Sequence, residues 1–305
     1  RSAQFLDVPG STPTFFSRSG ATIRRAVRSG GDIAGWTSRI PPALIHRARA
    51  AGVSLRRIED GFIRSVGLGS DLLPPFSIVA DRRGIYFDAT CESDLEHILK
   101  TTIFSPEITF RARRLIDLLI HRQVTKYGTP IGSEPVIAAP ANRRLVLVPG
   151  QVADDLSIRL GSPHVHGNLE LVREVRRNEP DAFIVFRPHP DVDAGHRAGH
   201  VPDAAMLAYA DRIERGGSMA GLIRQADELH TMTSLAGFEA LIRGKTVVTY
   251  GMPFYAGWGL TTDRLEMPRR GRRLTVEQLA AGVLLLYPVY LDPVTGLPCG
   301  PEVLI

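Results

Sequence analysis

Arg144-Leu145-Val146-Leu147-Val148-Pro149-Gly150-Gln151-Val152-Ala153-Asp154-Asp155-Leu156-Ser157 and, further on, Phe183-Ile184-Val185-Phe186-Arg187-Pro188-His189-Pro190 decide the fold. Each begins as a short apolar run and ends in Pro, Gly and polar residues. That is the pattern of a parallel strand buried on both faces, with chemistry at its carboxyl end. Between them Leu169, Val172 and Val175 share a helical face, and Asn178 and Pro180 stop the helix. The unit reads strand, loop with two carboxylates, helix, strand, His-Pro. In open α/β sheets ligands bind beyond the carboxyl ends of the strands, so Asp154, Asp155, Arg187 and His189 are expected to converge on one crevice.

Working outward, 305 residues exceed one ordinary α/β core, so two domains are expected. The Pro/Gly/Ala-rich, aperiodic stretch 126–142 supplies the linker. The divisions expected are 1–140, 141–265, and a helical segment 266–305 that packs back on the first domain. No run approaches about 18 uninterrupted apolar residues, the length of a membrane-crossing helix. No signal-peptide core follows Arg1, as expected of a chain that begins inside a longer product or has lost a tag. Cys91 and Cys299 stand far apart with no metal-like spacing, the usage of a reduced, cytoplasmic chain. The net charge of +5 comes almost wholly from arginine. A basic surface suits nucleic acid, anionic lipid or a phosphorylated ligand, although arginine-rich coding alone also produces it.

Several other stretches offer chemistry. Val53–Ile58 reads as a strand carrying Arg56 and Arg57, and it runs into Glu59-Asp60-Gly61-Phe62-Ile63-Arg64-Ser65, where Gly61 permits a turn. Gly84–Phe87 is expected to pair with Ser77–Ala80 as a hairpin. In the helix expected over 107–123, Phe110, Leu115, Leu118 and Leu119 form the buried stripe. Leu229–Met232 is a strand delivering Thr233-Ser234 to a helix that carries Glu239 and ends at Gly244. The 250–260 loop, dense in Gly and aromatics, offers Tyr255 and Trp258 either to stack on a base or sugar or to fill the seam between domains. Each motif has a bland alternative: a helix cap for Asp154, Asp155 or Ser234, an exposed helical Glu for Glu239, a structural imidazole for His189. No GxGxxG, phosphate-binding P-loop, zinc-ligand pattern or Ser-His-Asp arrangement is present.

Taken together and in order, the Glu59–Ser65, Pro149–Ser157, Arg187–Pro190, Thr233–Leu241 and Tyr250–Leu260 motifs resemble those of the capsule polysaccharide β-Kdo transferases of KpsC type. The resemblance runs from about Glu59 to the C-terminus, and Gly84–Asp88 fits it too. It implies an α/β, GT-B-like fold: two Rossmann-like domains facing a central cleft. It implies transfer of Kdo from CMP-Kdo with retention to a Kdo-primed lysophospholipid, by a cytoplasmic enzyme peripheral to the inner membrane. Other capsule-assembly proteins are possible partners, and no nucleic acid or resident cofactor is expected. Carried over by motif, Asp155 matches the nucleophile, with Asp154 beside it. Ala153 stands where the motif often has an acidic residue, which leaves the choice between those two open. The Glu59-Asp60-Gly61 and His189-Pro190 motifs also resemble the paired motifs of bacterial CMP-sialic acid transferases, which would make Asp60 the acceptor-activating base or a partner to Asp155, with Glu59 able to share the deprotonation. Gln151, Arg187, His189, Pro190, Thr233, Ser234, Glu239 and Tyr255 would hold the donor. Arg64, Arg57 and Trp258 would meet the acceptor or the Kdo carboxylate. No metal is required if fixed hydrogen-bond donors stabilise the leaving phosphate. The competing expectations are transfer of another CMP-linked ulosonic acid, such as a sialic acid, and an inactive assembly module.

Overall fold

The architecture follows from where the chain spends its apolar residues. A computed structural model describes residues 5, 13–16, 19–63, 75–125 and 136–305. Helix α1 (Ser19–Ser29) leads to strand β1 (Ile33–Trp36), a 3₁₀ turn (Thr37–Arg39), α2 (Pro42–Ala50), β2 (Leu55–Asp60) and β3 (Ser77–Asp81). Helices α3 (Asp94–Thr101) and α4 (Pro106–His121) complete the first half, each capped by a serine, Ser93 and Ser105. Strand β1 runs parallel to β2, and β3 lies antiparallel to β2.

The second half holds β4 (Leu145–Pro149), α5 (Leu156–Gly161), α6 (Asn168–Asn178), β5 (Phe183–Arg187), the short α7 (Pro190–Asp193), α8 (Asp203–Leu207) and β6 (Arg212–Ile213). It continues through α9 (Met219–Gln225), β7 (Glu228–Thr231), α10 (Leu235–Leu241), β8 (Thr246–Thr249) and β9 (Thr262–Asp263). The sheet order is β6-β5-β4-β7-β8-β9, and every pairing is parallel. That is the doubly wound dinucleotide-fold order, and its switch point lies between β4 and β7. The last residues return to the first sheet. Helix α11 (Val276–Ala280) packs on α4, a π-helical turn (Ala281–Leu286) follows, and β10 (Val289–Leu291) and β11 (Pro298–Cys299) extend that sheet beside β3. The chain is thus α/β, with two sheets and a cleft between them.

Strand β4 shows why this half reads so clearly in sequence. Leu145 and Leu147 join the core shared with the first half, while Val146 and Val148 join the core on the opposite face of the sheet. Alternating side chains serve two cores, so no polar position interrupts the run.

Three local expectations fail. Gly84–Phe87 forms no strand. Asp81 instead folds the turn, its carboxylate accepting from the backbone N–H groups of Arg83, Gly84 and Asp94 and from the Tyr287 hydroxyl. Phe110 is 64% exposed. The inward stripe of α4 is Ala112, Leu115, Ile116 and Leu119, because α11 covers that side. Gly61 has no left-handed backbone. It is glycine because β3 passes so close that a Cβ would stand 2.2 Å from Ser77 Oγ.

Candidate active site

The cleft has a volume of about 700 Å³ and opens at the carboxyl ends of β4, β5 and β7, facing the end of β2. Its wall from the second half begins at Pro149-Gly150-Gln151. Gly150 donates to the Arg187 carbonyl at 2.7 Å, clamping the exits of β4 and β5 together. Gln151 is buried, and all of its polar groups are used. Its backbone N–H donates to Asn168 Oδ1 at 2.9 Å, and its carbonyl accepts from Asn168 Nδ2 at 2.9 Å. Its side-chain oxygen accepts from Thr233 N (3.0 Å) and Thr231 Oγ1 (3.2 Å), and its side-chain nitrogen donates to Thr233 Oγ1 (2.9 Å). Gln151 therefore ties the loops on either side of the switch point.

The two aspartates have different positions. Asp155 is half-buried and caps α5, its Oδ1 accepting from Ser157 N at 2.8 Å. Asp154 has a side chain 63% exposed and meets Arg197 Nη2 at 2.9 Å. The hydrogen bond from that guanidinium holds the Asp154 carboxyl below the usual aspartate range. Both line the cleft. Arg197 comes from the polar loop after α7, which is fastened here by Ala153 N donating to Ala198 O at 2.9 Å.

Arg187 and His189 line the same wall. The Arg187 guanidinium donates to the carbonyls of Glu214, Gly216 and Gly217 at 3.0–3.1 Å, which hold it in position. His189 caps α7 by accepting from Asp191 N at Nδ1, 3.2 Å. In the neutral ring the proton then resides on Nε2. Pro190 follows it on the cleft wall. Thr233 and Ser234 reach the cleft ahead of α10. Ser234 Oγ accepts from Ala236 N at 3.2 Å, so Ser234 does cap this helix. Glu239, one turn inside α10, lines the cleft and is only 9% exposed. It is not the solvated helical glutamate of the bland alternative.

From the first half, Glu59 lines the cleft and Asp60 is not among the lining residues. They are consecutive on β2, and successive strand side chains leave opposite faces. Of the two carboxylates expected there, Glu59 is the one that lines the cleft with Asp155. Arg57 does not line the cleft either. It reaches the Gly84 carbonyl at 3.5 Å. Arg64 lies outside the described residues.

Tyr255 and Trp258 are corrections as well. Both are fully buried. Tyr255 donates its hydroxyl to Ser234 O at 2.5 Å, and Trp258 Nε1 donates to Phe254 O at 2.9 Å. They fill the seam between the halves, where Phe254 packs at a tilt against Phe62 at 4.9 Å and meets Tyr86 edge-on at 5.6 Å. The loop touches the site through Pro253 and Phe254 only. Gly237 is glycine for this reason: a Cβ there would sit 2.2 Å from the Tyr255 hydroxyl.

Sequence reasoning missed Ser157, Arg197 and Tyr86 as cleft residues. Ser157 stands inside a motif that was read for its aspartates. Arg197 carries no local signal, because its partner Asp154 belongs to another loop. Among the described residues one group can be assembled into a metal site, Glu179, Glu228 and His230, with ligand atoms within 4.8 Å of one another. It lies at the amino ends of β4 and β7, away from the cleft, and Arg144 bridges its two carboxylates.

Comparison with known proteins places this geometry. Residues 31–120 and 109–290 match the family model described as capsule polysaccharide biosynthesis protein. The capsule polysaccharide modification protein LipA of Neisseria meningitidis serogroup A is 45% identical over 291 residues, which are 95% of this chain and 41% of that protein. The chain thus spans about two fifths of the length of that curated relative. Among solved structures, the β-Kdo 2,7 transferase of KpsC from Thermosulfurimonas dismutans is 39% identical with a TM-score of 0.78, covering 99% of this chain and 91% of that one. The β-Kdo 2,4 transferase of the same protein is 35% identical with a TM-score of 0.76, covering 88% and 84%.

Proposed function

The chain belongs to the capsule polysaccharide biosynthesis protein family, and from that premise we propose that it is a retaining glycosyltransferase moving Kdo from CMP-Kdo onto a lipid-linked Kdo acceptor. The observation that carries the reading is one cleft lined by carboxylates from both halves, Glu59 and Asp155, with Arg187 and His189 on the donor wall. Asp155 attacks the anomeric carbon as the bond to the cytidylate phosphate breaks, and CMP leaves with the electron pair. Arg187, the His189 Nε2 proton and the Ser234 hydroxyl bind that phosphate, Thr233 supports the wall through its bonds to Gln151 and Ser157, and Glu239 binds the ribose. Glu59 then takes the proton of the acceptor hydroxyl, whose oxygen displaces Asp155. Two inversions give net retention. The exposure of Asp154 and its pairing with Arg197 favour Asp155 for the attack.

A lipid-linked acceptor places the enzyme at an anionic leaflet. Residues 19–58 carry Arg24, Arg25, Arg28, Arg39, Arg47, Arg49, Arg56 and Arg57 against a single acidic residue, Asp32. The first six are exposed. An exposed basic segment of this kind binds acidic lipid at the surface. No helix among the described residues is long and apolar enough to cross a membrane. The decisive experiment incubates the Asp155→Ala protein with CMP-Kdo and a Kdo-primed acceptor. Loss of transfer with the fold retained supports the assignment, and undiminished transfer removes Asp155 from the nucleophile's role.

A further inference from the structure

A directed line of hydrogen bonds crosses the switch point and ends in the cleft. The sense of its first two links is fixed by donors that cannot accept. The backbone N–H of Thr233 can only donate, so the Gln151 side-chain atom 3.0 Å away is the oxygen. The atom 2.9 Å from Thr233 Oγ1 is then the amide nitrogen, which cannot accept. Thr233 Oγ1 accepts there and passes its own proton to Ser157 Oγ at 3.1 Å. Ser157 Oγ accepts there, and its own proton remains to be placed. Among the described residues nothing takes it. Ser157 is half-buried and lines the cleft as the second residue of α5, the helix that Asp155 caps. Hydrogen bonds in series polarise one another, so the last donor is stronger than an isolated hydroxyl.

We infer that Ser157 is a ligand-binding residue, its hydroxyl held by the Gln151–Thr233 relay to donate to an anionic oxygen of the substrate. A charged acceptor is the partner that gains most from a polarised donor, and Arg187 and His189 make the same wall suited to an anion. This rests on the nucleotide-sugar reading above, in which two groups carry such an oxygen: the nucleotide phosphate and the sugar carboxylate. Asp155 accepts from the Ser157 backbone N–H, so the donated hydroxyl and the attacking carboxylate lie on one helix cap. A ligand oxygen held by Ser157 is therefore positioned relative to Asp155.

Calorimetric titration of CMP, cytidine and free Kdo into the wild-type and Ser157→Ala proteins tests this. The expected result is an affinity for CMP lowered about tenfold in Ser157→Ala, cytidine binding unchanged, and recovery in Ser157→Thr. Thr233→Val, which removes the relay hydroxyl and keeps the shape, should give a smaller loss in the same direction. If Kdo binding falls and CMP binding does not, the anionic oxygen is the carboxylate. If CMP and Kdo both bind Ser157→Ala as tightly as wild type, the assignment is overturned. Wild-type affinity for CMP in Thr233→Val removes the relay. A wild-type protein that binds neither CMP nor Kdo removes the nucleotide-sugar reading and this inference with it.

Discussion

Two glycine-bearing loops leave the same parallel sheet, and the molecule uses them in opposite ways. Pro149–Ser157 follows β4 beside the switch point, and its Gln151, Asp154, Asp155 and Ser157 line the cleft. The loop after β8 leaves a strand further toward the sheet edge and turns under the cleft floor, where Phe254, Tyr255 and Trp258 are buried. A buried aromatic removes roughly 150–250 Å² from water, and the seam between the halves takes all three. The loop is also bolted there by charge. Arg270, 4% exposed, donates to the Ala256 carbonyl at 2.9 Å and to Glu96 at 3.1 Å, and Arg269 donates to Glu96 at 2.9 Å. Burial alone would raise the Glu96 carboxyl, but these two guanidiniums bring it below the usual glutamate range. What the contrast teaches is that a rich motif at a strand end is not by itself a binding loop. Position relative to the switch point decides whether it meets ligand or partner domain.

That contrast breaks if substitutions in the two loops have the same consequences. Asp155→Asn should lower transfer by at least about 10³-fold in steady-state assays while the unfolding midpoint stays near wild type. Trp258→Ala should do the reverse. Losing a fully buried tryptophan costs about 3–5 kcal/mol by chemical denaturation, and any folded fraction should keep its affinity for CMP. Glu96→Gln leaves Arg270 buried without a countercharge, a cost of about 3–5 kcal/mol on the same measurement. Gly237→Ala sharpens the seam side. The added methyl meets the Tyr255 hydroxyl and should destabilise by about 1–3 kcal/mol.

The smallest expected effect is a dependence on pH from neither loop. Burial holds the His230 imidazole, fully enclosed beside Tyr250 and Glu228, below the ordinary histidine range. The unfolded chain then binds a proton near pH 6.5 that the folded chain refuses, so stability is complete above about pH 6.5 and falls as pH drops below it. A His230→Gln protein should lose that slope between neutral and mildly acidic denaturation curves.

The second half was legible because its period is simple. Leu145–Val148 and Ile184–Phe186 are buried on both faces, and the cap Ser234 stands where its helix starts. The first half was less so. Its sheet mixes one parallel pair with antiparallel ones, β10 arriving from the far end of the chain, and no local window reports such a partner. At the site, Glu59, Asp155, Arg187 and His189 could be named from their motifs. Arg197 could not, since its role depends on a loop that folds over Asp154.

The sequence by itself determined a parallel α/β half with acidic and cationic groups at its strand ends, because burial on both faces and helix capping are local and periodic. Only the tertiary structure decided that Glu59 rather than Asp60 faces the cleft and that Tyr255 and Trp258 belong to the seam. Which face of a strand meets a partner, and which aromatic finds a dry contact, depend on residues far away in the chain. Their energies exist only once both halves are in place.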